Sequence, residues 1–386
     1  MLAWCGPSCI AVTVDPKRQE QAAAYARGRY ALIAADGVVS AAYAVAWWAS
    51  GLSHRLDAAL LDWTAVRPLR VAAYLAIFGL GYGLLKLPLD YLGHRLSRRF
   101  GLSVQSVGQW LRDLAKGGLL SAALGLAVGE VLYLLLEWSP RSWWLWSGAL
   151  GFLLDVVLAN LAPLIVVPLF FKVTPLADGA LVERLTRLAE RAGAHVRGVF
   201  TLDFSRRTTA ANAALMGWGN TRRIVLADTL LRTYTPDEVE VVLAHELAHH
   251  VHKDIWKGML VSAVVLWAGL WLTAQGLAWA VGRWGLDSVG DLAAFPLLVL
   301  LLGGFTALSS PLTNAYSRWR EGQADRYALQ LTGRSDAFAS TMAKLANQNL
   351  GLLDPPRWAV WLLFSHPPLG ERIRLAQRWG RENERV

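Results

Sequence analysis

Val242-Leu-Ala-His-Glu-Leu-Ala-His-His-Val-His-Lys-Asp254, written VLAHELAHHVHKD, carries four of the chain's eight histidines. Thr235-Pro-Asp-Glu238 lies just upstream, and a Thr followed three residues later by Glu is a capping box, so the stretch reads as a helix. On a helix His245 and His249, at i and i+4, project from one face with Glu246 beside them. This H-E-x-x-H spacing lets two imidazoles grip one Zn²⁺ while Glu246 takes a proton from water at the metal. His250 lies about 100° around the helix from His249 and cannot share its face. His250 and His252 therefore read as solvated or interfacial residues, not ligands.

A catalytic zinc takes three protein ligands and keeps one position open. The third must come from another element. Ser317-Arg-Trp-Arg-Glu-Gly-Gln-Ala-Asp-Arg-Tyr-Ala328 offers Glu321 and Asp325, four apart on one helical face. Alone they read first as a solvated acidic pair. The unmet demand of the histidine helix makes them the candidates.

Outward from these motifs the chain is apolar. Of 386 residues 54% are hydrophobic and only 17% charged, well under the usual quarter for a soluble domain. Long apolar runs point to an integral membrane protein, with expected spans at Tyr30–Leu52, Val71–Leu89, Gly118–Trp138, Trp143–Phe171, Gly258–Trp284 and Leu292–Leu308. A helix over 313–331 is too polar to face lipid all round and could form a seventh. Residues 1–29 read as a polar tail whose Cys5 and Cys9 have no disulfide or metal spacing.

The net charge of +9 is spread through loops and the tail without one basic block, which fits membrane topology and excludes nucleic-acid binding. The loop after the second span carries Arg95, Arg98, Arg99, Arg112 and Lys116, whereas the loop after the third carries Arg141. That asymmetry predicts the former to be cytosolic, and with it the polar insert 172–255 and the C-terminal segment 332–386. Arg55, Arg67 and Arg70 fall on the opposite side. Lys86, Glu130, Asp155, Asn160 and Gln275 sit at membrane depth, where polar groups are costly. Lys86 and Asp155 could snorkel; the others suit the interior of a bundle or a water-filled chamber.

Within the insert, Thr174-Pro175 suggests a helix N-cap with Pro at N1, followed by an apolar face of Leu176, Leu181, Leu185 and Leu188. Gly198–Phe204 suggests a strand. Ala211–Gly217 and Arg223–Leu226 suggest a hairpin turning at Gly217, Gly219 and Asn220. The expected fold is thus mainly α: a polytopic helical membrane bundle of six to seven spans with a small α+β, zincin-like cytosolic catalytic domain. Four spans fall within 30–171, and 256–331 holds two to three more together with the Glu321 helix.

HELAHHVHKD followed by SRWREGQADRYAL resembles the integral-membrane zinc endopeptidases of the type I CAAX prenyl protease family, related to the HtpX-type proteases. Ala248 stands where that family often has Gly. The resemblance implies Glu321 as third zinc ligand and Asp325 as the carboxylate supporting the histidines. It extends through Leu87–Tyr91 and Phe170–Asp178. It also includes Asn212–Leu231, where an edge strand (Asn212, Ala213, Ala214) would hold the substrate backbone. In Phe364-Ser-His-Pro-Pro-Leu-Gly-Glu-Arg-Ile373, His366 would lie at the active site and Arg372 would pair with Asp325.

These readings imply one Zn²⁺ per chain, Glu246 as general base and His366 as oxyanion donor. The expected location is a plasma, inner or endoplasmic-reticulum-type membrane. The substrate would be a peptide or protein, prenylated or otherwise membrane-tethered, trimmed at its C-terminus. A quality-control protease of HtpX type is the alternative. A scaffold or transporter with a relict metal site fits less well, because a structural zinc needs no base such as Glu246.

Overall fold

In the computed structural model, which describes residues 14–217 and 222–383, six helices are long and apolar enough to cross a membrane. Helix α1 (Pro16–Ala49) is followed by the shorter α2 (Leu52–Trp63), then α3 (Arg67–Arg99), α4 (Val107–Trp138) and α5 (Trp143–Phe170). The insert comprises β1 (Val173–Pro175), α6 (Gly179–Arg191), β2 (Val199–Leu202), β3 (Ala213–Met216), β4 (Arg223–Ala227), α7 (Asp228–Thr233) and α8 (Pro236–Val251). The fifth and sixth long helices are α9 (Asp254–Ala280) and α10 (Phe295–Thr332), and α11 (Ser335–Gln348), α12 (Arg357–Leu363) and α13 (Leu369–Asn383) complete the chain.

The expected polar tail ends at Asp15, well before residue 29. Asp15 caps α1 by accepting from the Lys17 amide, and Pro16 occupies the first turn, where its missing N–H costs nothing. The polar turns that follow stand at the end of the span beside α11. The Asp15 amide donates to Asn347 Oδ1 at 3.2 Å, and Gln19 Nε2 donates to the Gly351 carbonyl at 3.1 Å. Cys5 and Cys9 lie outside the described residues.

Among the described residues no seventh helix is long and apolar enough to cross a membrane. Helix α10 runs unbroken from the apolar stretch through Glu321 and Asp325, so the sixth span and the polar helix after it are one element. Close approach of α5 and α9 depends on Gly148, where a Cβ would stand 2.4 Å from Trp267 Nε1. Small residues let membrane helices meet in this way. Of the polar residues at membrane depth, Lys86 pairs with Asp36 at 3.1 Å and Asn160 Nδ2 donates to the Val156 carbonyl. Glu130 is half-buried, while Asp155 and Gln275 are exposed.

Thr174-Pro175 does not start a helix. Its residues form β1, paired antiparallel with β2 (Thr174 opposite Thr201), and Asp178 caps α6 instead by accepting from the Leu181 amide. Strand β2 runs parallel to β4, and β3 pairs antiparallel with β4, Ala213 opposite Leu226. The four strands stand in the order β1-β2-β4-β3, which leaves β3 at an edge. The expected hairpin is therefore present; Gly217 ends β3 in the left-handed region, while Gly219 and Asn220 lie outside the described residues. Leu185 and Leu188 of α6, Ile224 and Leu226 of β4, Leu243 and Leu247 of α8, and Phe338 of α11 form the core beneath the sheet.

The same core orients α8. Its Thr235 Oγ1 accepts from the Glu238 amide, and Glu238 Oε2 accepts from the Thr235 amide at 2.7 Å. Buried Glu238 also takes hydrogen bonds from Lys344 Nζ at 2.7 Å and Ser340 Oγ at 2.6 Å, tying α8 to α11. Burial opposes its charge, but the Lys344, Ser340 and Thr235 donors outweigh it and hold its pKa below the ordinary 4.5. A pKa lowered by folding stabilises the native state above the unfolded value, and the contribution fades as pH falls through the folded one. The detergent-solubilised protein should therefore lose thermal stability between about pH 5 and 3, and Glu238→Gln should flatten that dependence. Thr235→Ala should cost about 1 kcal/mol at neutral pH. Melting curves at several pH values check both.

Candidate active site

Helix α8 presents His245 and His249 side by side, their rings 5.1 Å apart and nearly perpendicular. Helix α10 packs across α8 and brings Glu321 up from the membrane bundle. His245 Nε2 lies 3.0 Å from Glu321 Oε2, and His249 Nε2 lies 3.5 Å from Glu321 Oε1. One donor atom from each of the three residues falls within 4.8 Å of the other two. His250 and His252 are not part of this cluster.

The opposite nitrogen of each ring is held by a carboxylate. His245 Nδ1 stands 2.9 Å from Asp325 Oδ1, and Arg372 grips Asp325 in a fork, Nε to Oδ2 at 2.9 Å and Nη2 to Oδ1 at 2.6 Å. His249 Nδ1 stands 2.9 Å from Asp254 Oδ2, and Asp254 is ion-paired with buried Arg320. Each carboxylate turns its ring so that Nε2 faces Glu321. The Asp325–Arg372 support follows the resemblance. The Asp254–Arg320 support does not, because it depends on a turn. Lys253, left-handed at φ 55°, ends α8 and starts α9 at once, bringing Asp254 back beside His249. A carboxylate five residues past the second histidine was the only sequence signal for it.

Burial works against the protonated ring of His245, yet the carboxylates of Asp325 and Glu321 raise its pKa to about 9. The cluster thus attracts a positive charge at its centre. Glu321 Oε2 is buried without a hydrogen bond, although the His245 ring faces it. Two imidazoles and one carboxylate, each oriented from behind and convergent on one point, fit a divalent metal ion with a position left open.

Around this centre Glu246 is half-buried and has no hydrogen-bond partner among the described residues; burial pushes its pKa up. His366, on the loop before α13, lies with Nε2 3.4 Å from Glu321 Oε1 and Nδ1 2.9 Å from Ser365 Oγ. Asn212 precedes edge strand β3; its Oδ1 accepts from the Ala213 amide and its carbonyl from the Ala227 amide, both at 2.9 Å. Ala213 and Ala214 occupy the half-exposed first positions of β3. Ala248 is fully buried in the α8 face.

An H-E-x-x-H helix closed by a carboxylate from a membrane helix defines a membrane metalloprotease. Residues 175–380 match the profile of peptidase family M48, and residues 6–172 match that of the CAAX prenyl protease N-terminal region, described as five membrane helices. The chain is 29% identical to an uncharacterized metalloprotease, YhfN, of Bacillus subtilis over 333 residues, covering 85% of this chain and 78% of the relative. It is 30% identical to CAAX prenyl protease 1 of Saccharomyces cerevisiae over 313 residues, covering 75% and 68%. The fold resembles the crystal structure of S. mikatae Ste24p, with a TM-score of 0.82 over 94% of this chain and 89% of that one at 22% identity. The chain belongs to peptidase family M48, within its CAAX prenyl protease group.

The paired supports behind the histidines make a specific prediction. Asp325→Asn and Asp254→Asn should each weaken divalent-metal binding by about 10–100-fold, because neither amide can hold its ring as the carboxylate does. Competition against a chelator of known affinity measures the loss. Affinity unchanged in Asp254→Asn would remove Asp254 from the site.

Proposed function

We propose that this chain is a zinc endopeptidase that hydrolyses a peptide bond near the C-terminus of a prenylated peptide or protein. His245, His249 and Glu321 hold the Zn²⁺. When bound, zinc supplies a Lewis acid that polarises a carbonyl and acidifies water. Glu246 takes one proton from the attacking water as its oxygen adds to the carbonyl carbon, then delivers that proton to the amine nitrogen as the C–N bond breaks. His366 donates a hydrogen bond to the oxyanion. Strand β3 takes the substrate as an added strand along its unpaired edge, with Asn212, Ala213 and Ala214 aligning its backbone.

The observation that carries this reading is Glu246. Its carboxyl is close enough to both histidines to feel their charge, makes no hydrogen bond to any described residue, and burial raises its affinity for a proton. A structural metal site has no use for such a group. The connection between α3 and α4 bears on the membrane side, because Arg95, Arg98 and Arg99 stand at the end of α3 and Arg112 and Lys116 in the first turns of α4. It hydrogen-bonds to the insert, Val104 N to the Arg207 carbonyl at 3.0 Å. The positive-inside bias of those basic residues supports a cytosolic active site. The prenyl substrate is favoured by the CAAX prenyl protease relatives, which match across the membrane helices as well as the peptidase region.

A farnesylated peptide, purified protein in detergent and metal analysis test the proposal together. Wild type and Glu246→Gln should each hold one zinc, while the variant loses about 10²–10⁴-fold in turnover. Hydrolysis at the wild-type rate by Glu246→Gln would end the mechanism. Cleavage of unlipidated membrane proteins alone would shift the substrate to the quality-control class.

A further inference from the structure

Two cavities meet at one end of edge strand β3. The first, about 860 Å³, is lined by Arg29, Lys86, Arg207 and Ala210; the second, about 380 Å³, reaches His366 and Arg372. They adjoin, with Tyr25, Arg29 and Asn349 lining both. Asn349 also fixes the entry to β3: its Oδ1 accepts from the Ala211 amide at 2.9 Å and its Nδ2 donates to the Ala211 carbonyl at 3.3 Å. At the opposite end of β3, Gly217 and His249 line a third cavity of about 590 Å³, whose other walls include Ile255, Trp256 and Met259.

The charges in the first space are mostly neutralised. Lys86 pairs with Asp36 and has Asp90 beside it, one helical turn along α3, and Arg207 pairs with Asp113 at 2.8 Å. Arg29 has no ion pair or hydrogen bond among the described residues, and its side chain is exposed to the space. Gly28 sets its position, since Leu96 packs where a Cβ would stand, 2.9 Å from its Cδ2.

Strand direction gives this cation a partner. A peptide added to β3 pairs best antiparallel, as β4 already does on the other side. Its N-terminal part then lies at Gly217, beside the third cavity, where Ile255, Trp256 and Met259 offer apolar surface next to Arg222 and Lys253, and its C-terminal part runs past Ala211 and Ala210 toward the cavity that holds Arg29. Three extended residues reach about 10 Å, enough to carry a peptide past the start of β3 to the level of Ala210, which lines the cavity with Arg29.

We propose that Arg29 binds the C-terminal carboxylate of the substrate, so that the enzyme selects the scissile bond by its distance from a free C-terminus. This rests on the reading of the site as a protease of lipidated C-termini. A guanidinium meets a carboxylate through two parallel hydrogen bonds, which a C-terminal amide cannot match.

The test uses a fluorescent farnesylated peptide as the free acid and as its C-terminal amide. Binding is measured on full-length Glu246→Gln protein and cleavage on otherwise wild-type protein. The acid should bind about 10–100-fold more tightly than the amide, the range of a charge-assisted hydrogen bond. Arg29→Met should bring the acid-to-amide ratio to about 1, and Arg29→Lys should restore part of it. Each ratio is taken within one protein, so a variant's lower yield or stability does not change it. Equal binding of acid and amide to Glu246→Gln, or an undiminished ratio in Arg29→Met, overturns the proposal. If wild type cleaves neither peptide while the Arg29-dependent binding ratio persists, the peptidase reading falls and the carboxylate site stands.

Discussion

Asp325 is the pivot of the molecule. It is 1% exposed, and a carboxylate so buried survives only if its charge is met. Arg372 meets it with a two-toothed fork from α13, and His245 meets it from α8. One side chain of a membrane helix thereby joins the catalytic helix, the lipid-crossing bundle and the C-terminal segment. Removing any partner would leave an uncompensated buried charge, so the three elements stand or fall as one arrangement.

The second support repeats this logic with different connectivity. Asp254 begins a membrane-crossing helix, yet its carboxylate turns back to His249, while Arg320 reaches it from the residue just before Glu321. Both ring orientations are therefore set by helices that enter the bilayer. The chemistry sits at the boundary between the bundle and the polar insert because its ligands and their supports come from both sides of it. A membrane-tethered peptide reaches such a centre without leaving the surface.

The sheet adds an unpaired edge. An edge strand accepts an added peptide along its unpaired side, and cavities lie beyond both ends of β3. Ile255 and Met259 at one end and Arg29 at the other come from different membrane helices, α9 and α1.

The sequence by itself determined the elements whose signals are local. Apolar length announced the membrane helices, Thr235 and Glu238 announced the start of α8, and the i, i+4 spacing of His245 and His249 put both rings on one face. The resemblance then added Glu321, Asp325 and Arg372, and all three converge at the histidines. Where local signals competed with pairing they misled. Thr174-Pro175 has the chemistry of a cap, but β2 claimed it for the sheet. Polar residues after Pro16 looked like a tail, but contacts with Asn347 and Gly351 continued them as helix. Tertiary structure alone decided the rest. That α10 is one helix, that Asp254 folds back through a left-handed Lys253, and that Arg29 stands unpaired where two cavities adjoin all depend on residues distant in the chain. Such contacts leave no periodic trace, because their energy comes from burial and charge pairing between elements, not from the spacing within one.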